Sequence, residues 1–281
     1  MEINYVIGLT IGVTGSAVIH FSQGLMQLGI RRMAGQATST RTRLIYGIGV
    51  TLNLTAPLWV ILANRFGPTV LYTSMYAAGI IVLLIFSSIK LGHKIRPTDL
   101  VGASFLIAGT VLLGIDGVTG DSLDMSTVNP YPLLILGVAV MIMIWPLDQL
   151  GRRYTIIPRG VLFGLLGGMF LALDSLLKGV AQYDTGSAAF LPSTSFGLTL
   201  FLLSFIGAAG ALGMTQLAHY RNARASETIA GYDAAYVGLP VLILPAIAEG
   251  ENGISVICTI GLIALGIGIY GLTGGREKFK E

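Results

Sequence analysis

The sequence predicts an all-α polytopic membrane protein: nine transmembrane helices in an inverted-topology repeat of four plus five, N-terminus outside and C-terminus in the cytoplasm. Three observations carry the prediction. Hydrophobic residues make up 53% of the 281 and charged residues 11%, against roughly 25% charged in soluble domains. Apolar runs of about 20 residues, enough to cross a hydrocarbon core of about 30 Å, recur along the chain. Lysine and arginine alternate sharply from one connection to the next.

The apolar runs fall at about 4–30, 43–64, 68–90, 99–115, 131–148, 160–181, 196–218, 228–248 and 254–274. The N-terminus, MEIN, lacks a basic n-region, so the first run is expected to stay as a span. Arg31, Arg32, Arg41 and Arg43 follow span one; Lys90, Lys94 and Arg96 follow span three; Arg152, Arg153 and Arg159 follow span five. Arg221 and Arg224 follow span seven, and Arg276, Lys278 and Lys280 end the chain. These are 15 of the 17 Lys and Arg. The other connections hold Arg65 and Lys178 with acids such as Asp116, Asp121, Asp124, Asp184, Glu249 and Glu251. The positive-inside rule sets the orientation from this pattern, and one span more or fewer would destroy it. The net charge of +3 is therefore a topology signal rather than a nucleic-acid patch. The lone Cys258 excludes an intramolecular disulfide, and no metal-type Cys/His spacing occurs.

AGTVLLGIDG (108–117) and LGIGIYGLTG (265–274) share glycines at a constant offset of 157: Gly109, Gly114 and Gly117 against Gly266, Gly271 and Gly274. The charge map runs span four outward and span nine inward. Related segments of opposite orientation mark inverted-repeat transporters, whose substrate site lies near the midplane between the halves. The halves are residues 1–117, with four helices, and 131–281, with five.

Small residues let membrane helices approach closely. Span six carries Gly160, Gly164 and Gly168, continued by Ala172, and span seven carries Gly207, Ala208, Gly210, Ala211 and Gly213. Polar residues inside the membrane are costly and more diagnostic. Ser16, His20, Gln23 and Gln27 share one face of span one with Gly12. This stripe is either a hydrogen-bonded seam or the lining of a cavity. Asn53 falls near the middle of span two, and Gln216 and His219 lie near the end of span seven, where His219 is expected at a solvated boundary. Asp233 sits on span eight about 8 Å in from the cytoplasmic edge, with Tyr232, Tyr236, Pro240 and Pro245 around it. In MFLALDSLLKG (169–179), Asp174 lies about 6 Å beyond the centre of span six, and Lys178 follows one turn later. The spacing allows the two to pair, or Lys178 to snorkel outward. Gly167 and Gly160 share the face of Asp174, so space beneath the carboxylate for a cation or proton is the alternative.

Several segments resemble the drug/metabolite transporter superfamily and, within it, the NIPA-like magnesium transporters. They are GSAVIHFSQGLMQLG (15–29), FGPTVLYTSMYAAG (66–79), KLGHKIRPTDLVG (90–102) and LIAGTVLLGIDG. In the second half, GRRY (151–154), DSLLKG (174–179) and YDAAYVGLP (232–240) fall where that pattern has RYG, SxxKG and YPxYYV. The resemblance implies nine spans rather than ten, and it carries Lys178 and Tyr236 over. It does not carry Asp174 or Asp233, which stands where the family has proline. His20 replaces a lysine run, Thr73–Ser74 replace a proline, and Gly92 and His93 replace an acidic turn.

Two functions are expected. The first is a secondary transporter of a divalent cation, Mg²⁺ by resemblance, with Asp174 and Asp233 as candidate metal ligands and Asn53 and the span-one glutamines adding oxygens. The second is a proton-coupled exporter or exchanger of a small organic metabolite. Either pathway would use His20, Gln23, Asn53, Asp174, Lys178, Gln216, Tyr232, Asp233 and Tyr236. A non-transporting scaffold would not need the polar stripe and the buried acids. No constellation supports an enzyme, and no cofactor is expected beyond Mg²⁺ as substrate. The expected partners are the lipid bilayer of the plasma membrane and a small solute or cation; a homodimer is left open, and no nucleic acid is expected.

Overall fold

The computed structural model describes residues 2–35, 39–66, 69–119, 128–153, 158–183, 190–221, 223–247 and 255–273. Several residues used above lie outside them: Asp121, Asp124, Tyr154, Asp184, Glu249, Glu251, Gly274, Arg276, Lys278 and Lys280. The backbone of Arg152, Arg153 and Pro245 is described, but their side chains are not.

The chain is an integral membrane protein whose described elements are all helices. Helix α1 (Glu2–Gly35) is followed by α2 (Thr40–Asn53) and α3 (Ala56–Asn64), then α4 (Thr69–Ser74), a 3-10 turn (Tyr76–Gly79) and α5 (Ile80–Leu91). Next come α6 (Pro97–Thr119), α7 (Pro130–Arg153), α8 (Arg159–Gln182), α9 (Ser195–Tyr220), α10 (Ala225–Ile247) and α11 (Val256–Thr273). Among the described residues, eight segments are long and apolar enough to cross a membrane. The remaining one, α10, carries Glu227, Tyr232, Asp233 and Tyr236 and is buried among the others. Large apolar side chains such as Ile135, Ile142, Trp145 and Tyr270 point outward, as lipid-facing residues should.

Two spans are broken, and the sequence explains one break directly. Pro57 sits in the first turn of α3 and has no N–H to give the carbonyl of Asn53. The chain instead tightens there, with Thr55 N–H donating to the Leu52 carbonyl at 3.1 Å. The second break is the 3-10 turn between α4 and α5. Its free groups are met by α1: the Ser16 hydroxyl accepts from Gly79 N–H at 2.9 Å and donates to the Tyr76 carbonyl. Irregular backbone at membrane depth survives where such partners exist.

Helix α8 is the centre, with 89% of its span residues buried against 11% for α7. It packs on α10 through Gly160, Gly164 and Gly168 and on α9 through Gly207 and Gly210. Helices α6 and α11, which hold the glycine repeat, lie against each other. Gly102 meets Gly271 and Gly268, and Gly109 meets Gly261, so the two helices run antiparallel.

Candidate functional site

A column of buried polar side chains runs through the bundle from Gln27 to Gln182. It starts where Gln27 Nε2 donates to the Ala223 carbonyl at 3.1 Å. One turn along α1 is Gln23, fully buried, with neither amide atom hydrogen-bonded among the described residues. His20 follows, and its Nε2 meets Asp233 Oδ2 at 3.0 Å, both side chains fully buried. This contact joins α1 to α10. Asp233 Oδ1 has no partner among the described residues.

The ring nitrogens of His20 can be told apart. Nδ1 lies 2.8 Å from the Ser16 carbonyl and 3.3 Å from the Ser16 hydroxyl. That hydroxyl already spends its proton on the Tyr76 carbonyl. Both neighbours of Nδ1 are therefore acceptors, so Nδ1 carries a hydrogen. The contact from Nε2 to Asp233 then needs a second proton, held by either group. The pair stores one transferable proton.

Four tyrosines continue the column. The Tyr76 ring lies 5.3 Å from the His20 ring, 4.7 Å from Tyr236 and 6.2 Å from both Tyr72 and Tyr232. The Tyr236 and Ser175 hydroxyls are 2.9 Å apart, and the Tyr72 hydroxyl has no partner among the described residues. Beyond Ser175, Asp174 Oδ1 accepts from Lys178 Nζ within α8, both fully buried. Lys178 therefore does not snorkel. Its ammonium faces the Phe205 ring at 4.2 Å and the Phe201 ring at 6.0 Å. The space expected beneath Asp174 is also filled: a Cβ at Gly167 would meet the Tyr232 ring at 3.0 Å, and Gly160 faces Glu227. The column ends where Asn64 Nδ2 donates to Gln182 Oε1 at 2.9 Å.

Of the residues proposed from sequence, His20, Gln23, Asp174, Lys178, Tyr232, Asp233 and Tyr236 join this column. Asn53 stands at its side, donating to the Ser22 hydroxyl at 3.2 Å. Gln216 lies apart, accepting from the Tyr46 hydroxyl at 3.1 Å and donating to Met26 Sδ. His219 is buried rather than solvated, and neither ring nitrogen has a partner among the described residues. Asp174 and Asp233 each face their own base, and among the described residues no group of three or more His, Cys, Asp or Glu side chains could hold a metal. Ser16, Tyr72, Tyr76 and Ser175 were not singled out as site residues. The i,i+4 spacing of Tyr72 and Tyr76 repeats that of Tyr232 and Tyr236, and this was the available signal.

Near the Gln27 end, Arg31 donates to His93 Nε2 at 2.9 Å. Partial burial holds His93 below the usual histidine pKa, helped by Arg31 and Arg224 and opposed by Asp99. A base whose folded pKa is depressed adds stability above its unfolded value, about 6.5. That contribution is lost as pH falls below this value, where a protonated ring can no longer accept from Arg31. His93→Gln is expected to flatten the fall in melting temperature between about pH 7.5 and about pH 5.5. Identical profiles for the two proteins would exclude this contact as a source of acid sensitivity.

Comparison with protein-family models, with curated proteins and with solved structures finds no match.

Proposed function

We propose that the chain is a secondary transporter of the drug/metabolite transporter type that moves a small organic solute against a proton. The single observation that carries this reading is the His20–Asp233 contact, fully buried, which stores one proton between the two halves of the chain. Buried ionisable pairs of this kind are costly in a membrane and mark proton and ion routes.

An inverted repeat of nine spans, N-terminus outside, is part of the same proposal. The antiparallel contact of α6 with α11 supports it. So does the pair Ser16 and His20 on α1, which matches Asp174 and Lys178 on α8 at an offset one residue greater than 157. In this arrangement α7 is the unpaired helix. The plasma membrane is the proposed location.

Transport of Mg²⁺ is the second reading. The unpartnered oxygens Gln23 Oε1 and Asp233 Oδ1 favour it, and magnesium does not require a full protein cage. Lys178 and His20 weigh against it, because Lys178 already neutralises Asp174 and His20 already occupies Asp233 Oδ2. Proteoliposomes with an internal pH dye and a Mg²⁺-sensitive dye separate the two. Organic solutes should drive proton movement in Mg²⁺-free buffer. A Mg²⁺ signal without proton movement would select the second reading, and no flux of either kind from folded protein would sink both.

A further inference from the structure

Phe205 touches both the Asp174–Lys178 pair and a cavity. One side of the ring faces the Lys178 ammonium at 4.2 Å. Phe205 also lines a cavity of about 270 Å³ whose walls include Leu171, Leu212 and Ala208, with Asn53 and Tyr232 as polar groups. That volume is at the small end of ligand pockets.

The protein already places an ammonium against this carboxylate. Lys178 Nζ has Asp174 Oδ1 on one side and the edge-packed Phe201 and Phe205 rings on the other. A carboxylate with aromatic faces is a general receptor for alkylammonium groups. Asp174 Oδ2 has no hydrogen-bond partner among the described residues, so the carboxylate keeps acceptor capacity. The buried pair is thus a receptor occupied from within, beside a cavity that suits an apolar body.

We infer that this cavity binds a small hydrophobic amine whose ammonium displaces Lys178 from Asp174, with Phe205 as the movable partition. The inference deepens the transporter reading by naming its substrate class. The charge balance is explicit. The amine arrives as its ammonium and takes over the carboxylate. Lys178, left without a counter-charge in apolar surroundings, gives up one proton. One proton is therefore released for each ammonium bound, as exchange requires.

The probe is tritiated 2-phenylethylamine on the full-length protein in detergent, with 2-phenylethanol as the neutral competitor. Wild type should bind the amine, ignore the alcohol and release a proton to an external dye. Lys178→Met removes the internal competitor. It should bind about tenfold tighter or more at a pH that keeps Asp174 ionised, since occupancy of the site by Lys178 no longer subtracts from affinity, and any proton it releases at lower pH comes from Asp174, left without a counter-charge. Phe205→Ala should bind about threefold to tenfold more weakly, the scale of one cation–π contact. Asp174→Asn should not bind. Equal competition by the alcohol, which would mark a lipid-filled groove, overturns the inference, as does an absence of amine binding to wild type and Lys178→Met. Should Lys178→Met not fold, unchanged amine affinity in Phe205→Ala is the overturning result. Amine binding without vesicle flux sinks the transporter reading and leaves this site standing. Proton-coupled flux of another solute with no amine binding does the reverse.

Discussion

Asp233→Asn is expected to lower proton-coupled flux by about a hundredfold or more, the scale of losing a positioned proton-transfer group, while the protein still folds. The reason lies in the hydrogen inventory of His20. Nδ1–H is committed to the Ser16 carbonyl at 2.8 Å, so Nε2 of a neutral ring presents a lone pair. An asparagine amide can donate to that lone pair across the same 3.0 Å. The contact and the packing survive, and the proton that the native pair stores is gone. Solute exchange between two loaded compartments, which moves no net proton, should persist in the variant. This split separates a coupling residue from a merely structural one. Loss of both activities would make Asp233 structural, and unchanged coupled flux would remove the pair from the pathway.

The sequence was legible where its signals were one-dimensional. Span lengths and the face shared by Ser16, His20, Gln23 and Gln27 follow from periodicity, and the structure keeps that face together and buried. The pairing of Asp174 with Lys178 follows from one helical turn. What spacing could not show was partnership between helices. Nothing local links His20 to Asp233, which are 213 residues apart and meet only when α10 packs near α1. The choice between pairing and snorkelling for Lys178 was illegible for the same reason, because Phe201 and Phe205 on another helix cover it. The break in span two had a local cause in Pro57. The break at Tyr76–Gly79 had none; it depends on Ser16 supplying the missing partners.

Gly168→Ala should be among the most damaging single methyls, lowering stability by about 3 kcal/mol, the upper end of overpacking costs, and weakening proton coupling as well. A Cβ at Gly168 would lie 2.1 Å from the carbonyl oxygen of Tyr232, and one at Gly164 would lie 2.0 Å from that of Thr228. Carbon and oxygen approach to about 3.3 Å at closest comfort. The obstructing atoms are helix backbone and cannot rotate aside, so α10 must move away from α8 by roughly an ångström. Asp233 follows Tyr232 in the chain and moves with it, stretching a contact to His20 that is already 3.0 Å. Stability and coupling should therefore fall together. At Gly213 a Cβ meets nothing within 4 Å, so Gly213→Ala should stay within about 0.5 kcal/mol of wild type. Thermal unfolding can be followed with a thiol-reactive dye, because the chain's one cysteine, Cys258, is buried. If the Gly168 variant melts with wild type and still couples proton to solute, α8 and α10 are not in backbone contact, and the rigid positioning of Asp233 by that contact falls with it.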